Sequence, residues 1–356
     1  MEDNPLQPDE FTGWTCPAPL RNYPRIVMGH GGGGQLTRDL IEHLFAPAFL
    51  ELSLDASSDA ATLPIETRQI VVTTDSFVVR PLFFPGGCIG SLAVHGTVND
   101  LAMRGARPRY LTVGFILEEG LPLATLASIV RAMAEAARHA GVAIVTGDTK
   151  VVERGHGDGC YINMAGIGEL LTDQMIAPHM AKPGDAILIN GTVGDHGMAI
   201  LSRREGLEFE SPIVSDSAAL HDLVRVMLET QGEVHVLRDP TRGGIAAAVN
   251  EIADASEVGM ELDEQAIPVN TAVQAACEIL GLDPLLVANE GKLLAVVPER
   301  DAERILAAMH KHPLGVHATR IGTVTADHPR MTVMRTAIGT ARVLPTPIGE
   351  QLPRIC

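Results

Sequence analysis

The sequence predicts a chain of two domains, each mixing helices and strands in an α/β or α+β arrangement. Three observations carry that expectation. The chain has 356 residues, too long for one small core, and 46% of them are apolar, enough to bury two. β-branched runs alternate with helix-patterned runs along both halves. Between residues 171 and 182 the pattern lapses, and the turn Pro183-Gly184-Asp185 restarts it.

The elements follow in order. Residues 1–24 are acidic, proline-rich and without period, an irregular extension. PRIVMGH reads as a short strand, GGGG as a loop, and QLTRDLIEHLFAPAFL as an amphipathic helix with Leu36, Leu40, Ile41 and Leu44 on one face. After a polar connection over 51–68, QIVVTTDSFVV is a strand broken by polar residues, and SLAVHGTVNDLAMRG is a helix with small residues for close packing. RYLTVGFILEE is a strand, LATLASIVRAMAEAARHA a helix stopped by Gly141, and VAIVTGDTKVV and INMAGIGEL close a first domain over 25–175. In the second domain, 176–339, strands fall at KPGDAILING, GMELDEQAIPV, ATRIGTVTA and RMTVMRT. Helices fall at SAALHDLVRVMLE, VQAACEILG and ERDAERILAAMHKH. ARVLPTPIGEQLPRIC has three prolines and no period, so 340–356 is expected to be a mobile tail able to reach roughly 50 Å.

Composition narrows the function. A net charge of -17, from 44 acidic and 27 basic residues, argues against nucleic acid or an anionic membrane as the main partner. No apolar run approaches a bilayer span and the start is unlike a signal peptide, which places the chain in the cytoplasm. The 5 cysteines, Cys16, Cys88, Cys160, Cys277 and Cys356, are scattered without a CxxC pair, against a disulfide framework or a cysteine zinc site. His310 and His312 read as a solvated helix end.

The polar breaks suggest where chemistry lies. Gly29, Gly31 and Gly34 satisfy GxGxxG, but no compact βαβ unit follows, against a Rossmann site. The glycine run is either a phosphate-facing loop at a helix start or a hinge. Asp75, Asp100 and Asp148 stand at strand and helix ends, with Asn99 beside one and Lys150 two residues past another. Oxygen ligands gathered at a sheet rim suit Mg²⁺ and a triphosphate better than zinc. Asp239 precedes Gly243-Gly244 and a helix, and Asp195 and His196 are as readily turn residues as site residues. Glu290 sits in a charged triplet between two apolar runs, either a hairpin turn or a desolvated general base.

HGGGGQLTRDLI, TTDSFVVRPLFFPGGCIGSLAVHGTVNDLAMRG, GDTKVVERG, GTVGDHG, RDPTRGG, ANEGKL, HPLG and the terminal PRIC together resemble the HypE family, the carbamoyl dehydratases of nickel-iron hydrogenase maturation. The match runs in order from about residue 25 to the end. The resemblance implies an α+β, two-domain architecture of the aminoimidazole ribonucleotide synthetase kind, with the first domain pairing into a homodimer. It implies ATP with Mg²⁺ as cofactors, a HypF-like carbamoyltransferase and a HypC-HypD-like iron scaffold as partners, and Cys356 as covalent carrier. By motif, Asp75, Asp100 and Asp148 would hold Mg²⁺. Gly31, Gly32, Gly33, Gly34, Thr74, Asn99, Thr149, Lys150 and Asp239 would meet ATP or its phosphates. Lys150 would also neutralise the carboxamide oxygen, and Glu290 would take protons from its nitrogen. Two alternatives remain: a selenophosphate synthetase-like enzyme, which needs no terminal cysteine, and a non-catalytic thiol carrier, which leaves Glu290 unexplained.

Overall fold

Two sheets organise the chain in a computed structural model that describes residues 20–32, 34–49, 63–67, 69–207, 212–346, 352, 355 and 356. The extension before residue 20, Gly33 and positions 347–351, 353 and 354 of the expected tail lie outside the described residues.

The first half holds α1 (Gln35–Leu40), a π turn, α2 (Ala46–Phe49), β1 (Ile70–Phe77), β2 (Phe83–Phe84), β3 (Gly87–Cys88) and α3 (Ile89–Met103). β4 (Ala106–Glu118), α4 (Leu123–His139), β5 (Ala143–Val152) and β6 (Cys160–Leu170) complete it. Its sheet has the order β1-β6-β4-β5, with β4 and β5 parallel and the other pairs antiparallel. Alternation decides its faces. Leu111, Val113, Phe115 and Leu117 point into a core shared with α3 and α4, while Val72, Thr74 and Ile116 stand on an open face.

The second half is built differently, because its strands read as nearly continuous apolar runs. It comprises β7 (Asp185–Ile189), α5 (Asp195–Glu205), α6 (His221–Glu229), β8 (Val236–Arg238), α7 (Gly244–Ser256), β9 (Gly259–Asp263) and α8 (Thr271–Leu280). Then come β10 (Leu294–Pro298), α9 (Glu299–Met309), β11 (Thr319–Thr325), β12 (Thr332–Arg335) and β13 (Ala341–Leu344). The sheet order is β13-β12-β9-β11-β7-β10-β8. Ile187, Ile189 and Val296 pack with α7, whereas Ala186, Leu188 and Val297 pack with α6 and α9. Each fully covered aliphatic side chain contributes about 1.5–3 kcal/mol, which is why both faces carry helices.

Two expectations fail. PRIVMGH is not a strand: residues 24–26 pair with 120–123 through one isolated bridge, Arg25 to Pro122, and three backbone hydrogen bonds, and Met28–Gly31 is a 3₁₀ turn. His30 causes it, its Nδ1 accepting from the Val27 N–H at 3.0 Å. The expected tail is ordered at its start: β13 pairs antiparallel with β12, Leu344 is buried, and its carbonyl accepts from Asn250 at 3.0 Å. The single apolar anchor Leu344, set beside prolines, gave no period to read.

Candidate active site

Glu290 is fixed from both sides by its neighbours in sequence. Asn289 is fully buried; its Oδ1 accepts from the Gly194 N–H at 2.7 Å and its Nδ2 donates to Pro240 and Val287 carbonyls at 2.9 and 3.0 Å. The Glu290 N–H donates to Asp216 Oδ1 at 3.1 Å. At Gly291 an added Cβ would lie 1.8 Å from the Asp216 carbonyl oxygen, so only glycine lets the chain pass. The Glu290 side chain is therefore buried without choice. Burial pushes its carboxyl well above the usual range, and Asp239, Asp216 and Asp75 push it further.

The C-terminus reaches this carboxyl. Ile355 is buried in the first-domain core, and its carbonyl lies 2.9 Å from His196 Nε2. Cys356 is half-buried and its thiol stands beside the Glu290 carboxyl, close enough for each to shift the other's pKa. Burial, then Glu290, raise the thiol well above its ordinary value, and Arg242 opposes them. The thiol in this seat is thus protonated and a poor nucleophile.

Around the pair stand more carboxylates than charges to match them. Asp100 on α3 accepts from Thr73 Oγ1 at 2.7 Å, and burial followed by Asp239 raises it to about 6. Asp239 is raised by burial and steadied by Arg238 at 3.1 Å; Arg242 lies 3.4 Å from Asp75. Lys292, 3.3 Å from Asp216, completes the buried set. Surplus negative charge from hard oxygen donors suits Mg²⁺, which takes one or two carboxylates and fills its sphere with phosphate and water. The donor set fits, although among the described residues no three such side chains already form a metal cage.

The expected site residues fall into two groups. Asp75, Asp100, Asp239, Glu290 and Cys356 come together. Asp148 and Lys150 do not join them: they are exposed, 3.7 Å from each other, on β5 at the opposite edge of the sheet from β1. Three strand spacings put those edges roughly 14 Å apart. Gly31 belongs with β5, since a Cβ there would lie 2.4 Å from the Val151 nitrogen. Gly32 and Gly34 are exposed beside it, and Thr74 is exposed on the open face.

Two phosphate roles are not supported by the contacts. Asn99 is buried, its amide donating to the Ala218 and Glu290 carbonyls at 3.0 and 3.2 Å and accepting from the Leu220 N–H at 2.8 Å. It clasps the two domains and steadies Glu290. Thr149 is turned inward by strand alternation, into the wall of a cavity of about 160 Å³ beside Phe45 and Phe115. Sequence reasoning passed over Asp216, Arg242 and Lys292 and left His196 open. Only adjacency to Glu290 in the EGK triplet marked Lys292; Asp216, in an irregular serine-rich stretch, gave no signal.

The chain is similar to known proteins in sequence and in fold. The family described as "AIR synthase related protein, N-terminal domain" matches residues 57–170, and its C-terminal counterpart matches 182–334. The chain is 56% identical over 337 residues to the carbamoyl dehydratase HypE of Azotobacter vinelandii, covering 95% of this chain and 98% of that one. It is 49% identical to the HypE of Escherichia coli, covering 93% and 99%. A crystal structure of HypE in complex with ATP superposes with a TM-score of 0.89 at 50% identity, covering 93% and 99%. That of a HypE–HypF complex superposes at 0.76 and 49% identity, covering 86% and 99%. The selenophosphate synthetase-like and thiol-carrier readings are not favoured by these likenesses. With the two matched domains, the terminal cysteine and its buried carboxylate, the chain belongs to the HypE family of carbamoyl dehydratases of hydrogenase maturation.

Proposed function

We propose that this chain uses ATP to dehydrate a carbamoyl group carried on Cys356, turning an S-carboxamide into an S-cyanate whose cyanide becomes a ligand of hydrogenase iron. The observation that carries the reading is the seating of the last two residues at a buried carboxyl: the Ile355 carbonyl lies 2.9 Å from His196 Nε2, and Cys356 stands beside the buried Glu290. An amide oxygen leaves poorly. Transfer of the γ-phosphoryl group to the carboxamide oxygen forms a C–O–P linkage and expels ADP. Loss of that phosphate, with the nitrogen's two protons removed, leaves a carbon–nitrogen triple bond. Glu290 is the base at nitrogen, its raised pKa making it a stronger one than a surface carboxylate. Bound Mg²⁺ would supply charge neutralisation for the phosphates, held by Asp75, Asp100 and Asp239.

Carbamoylation calls for the thiol outside this seat, where it ionises more readily. The donor is a HypF-like carbamoyltransferase, as the solved HypE–HypF complex supports, and the acceptor of the cyanide a HypC-HypD-like scaffold in the cytoplasm. The open face of the first sheet, with Val72 61% exposed, supports a homodimer. In that dimer Lys150 and Asp148 of one copy would serve the Glu290 of the other. Infrared spectroscopy after incubation with a labelled carbamoyl donor and ATP tests the chemistry: a nitrile band shifted by ¹³C is expected, absent in Cys356→Ala. A wild-type protein that hydrolyses ATP without the band contradicts the reading.

A further inference from the structure

We propose that His196 is the positioning residue that seats the carrier tail, its Nε2–H binding the Ile355 carbonyl and thereby setting the Cys356 sulfur against Glu290. The inference rests on the reading of Cys356 as carrier and adds how that carrier is aimed. His196 has no exposed surface, and each ring nitrogen has one partner: Ser215 Oγ at 2.8 Å from Nδ1 and the Ile355 carbonyl oxygen at 2.9 Å from Nε2.

Those partners fix the tautomer. A carbonyl oxygen only accepts, so Nε2 carries the hydrogen. The Ser217 N–H donates to Ser215 Oγ at 3.1 Å, and the Ser215 hydroxyl hydrogen is then directed at Nδ1. The neutral ring meets both demands, and burial, which lowers the His196 pKa, keeps it neutral. One tail carbonyl is read by one imidazole in one state.

The ring itself is held on three sides. Phe84 of the β2–β3 hairpin meets it edge to face at 5.5 Å, and Pro85 accepts from the Ser215 N–H at 2.9 Å. At the start of α5, Asp195 accepts from Thr192 Oγ1 and Asn270 Nδ2, both at 2.5 Å. A Cβ at Gly197 would lie 2.5 Å from Val287 Cγ1, so α5 starts in contact with the irregular segment that leads to Glu290. The latch and the base therefore share one support. Ile355 is one peptide from Cys356, so holding its carbonyl leaves the sulfur only the torsions of the last residue. Withdrawal of the tail strands a buried imidazole N–H, which favours return.

The test compares His196→Met, which removes the donor, with His196→Gln, whose amide keeps one at similar reach. In the full-length protein, iodoacetamide labelling of Cys356 is followed by peptide mass. Loss of water from the preformed S-carboxamide on adding ATP is timed separately. His196→Met is expected to label about five- to tenfold faster and to dehydrate slower by a similar factor, as one hydrogen bond implies. Carbamoylation of the thiol is expected to be no slower, and Gln to restore most of both effects. Ser215→Ala, which frees the tautomer without emptying the site, is expected to shift both rates the same way by less.

Labelling and dehydration unchanged in folded His196→Met overturn the latch. Met and Gln behaving alike also overturn it, leaving a packing role. If wild-type protein shows no ATP-dependent water loss, the dehydratase reading falls while labelling still judges the latch.

Discussion

Glu290 shows how far a single residue can be read from sequence. A charged triplet between apolar runs singled it out, but its burial depends on Asn289, which reaches Gly194 across 95 residues, on a glycine pressed against Asp216, and on its own N–H bonding Asp216 across 74. Replacing it by glutamine is expected to keep ATP binding and accumulate the S-carboxamide, with dehydration falling by two to four orders of magnitude, about what a positioned base contributes. Quenched-flow mass analysis checks it, and undiminished cyanate formation would remove Glu290 as the base. Asp100 gives a pH signature. Its folded pKa of about 6 lies above the ordinary 3.8, so its contribution to stability is full below about pH 4 and is lost as pH rises through about 6. In metal-free urea unfolding, the stability of wild type relative to Asp100→Asn is expected to fall over that window and to level off above it. Mg²⁺ should lessen the fall. A difference independent of pH would contradict the burial and crowding assigned to Asp100.

At the scale of elements, long periodic segments were legible and short or capped ones were not. α4 and β4 stand out because each repeats its apolar period over many residues. Residues 24–31 failed because a histidine side chain closes a turn inside a strand-like run. β13 failed because a short strand held by Leu344 carries no repeat. Leu344→Ala is expected to cost about 2–5 kcal/mol in denaturant unfolding, the price of a buried leucine, whereas a loose tail would lose almost nothing. The carboxylates at element ends were legible as a group because each interrupts a β-branched or small-residue run. The inward contacts of Asn99 and Thr149 were not legible because sequence does not show which side of an element faces inward.

For the whole molecule, motif order carried more than any local pattern, since the architecture depends on two domains meeting at residues far apart in the chain. The split between the β1 and β5 edges was hidden for the same reason. If the open faces pair, a site draws Lys150 and Glu290 from different copies. Mixing inactive Lys150→Ala and Glu290→Gln chains is then expected to recover about a quarter of wild-type turnover, because each mixed two-fold dimer regains one intact site. No recovery on confirmed chain exchange would place both residues in one copy's site. The most direct test of the central claim is the intact mass of the full-length protein given a carbamoyl donor system, before and after ATP. The account requires a carbamoyl adduct on Cys356 that loses one water only when ATP is present. ATP hydrolysis with no adduct on Cys356, or an adduct that never loses water, would contradict it.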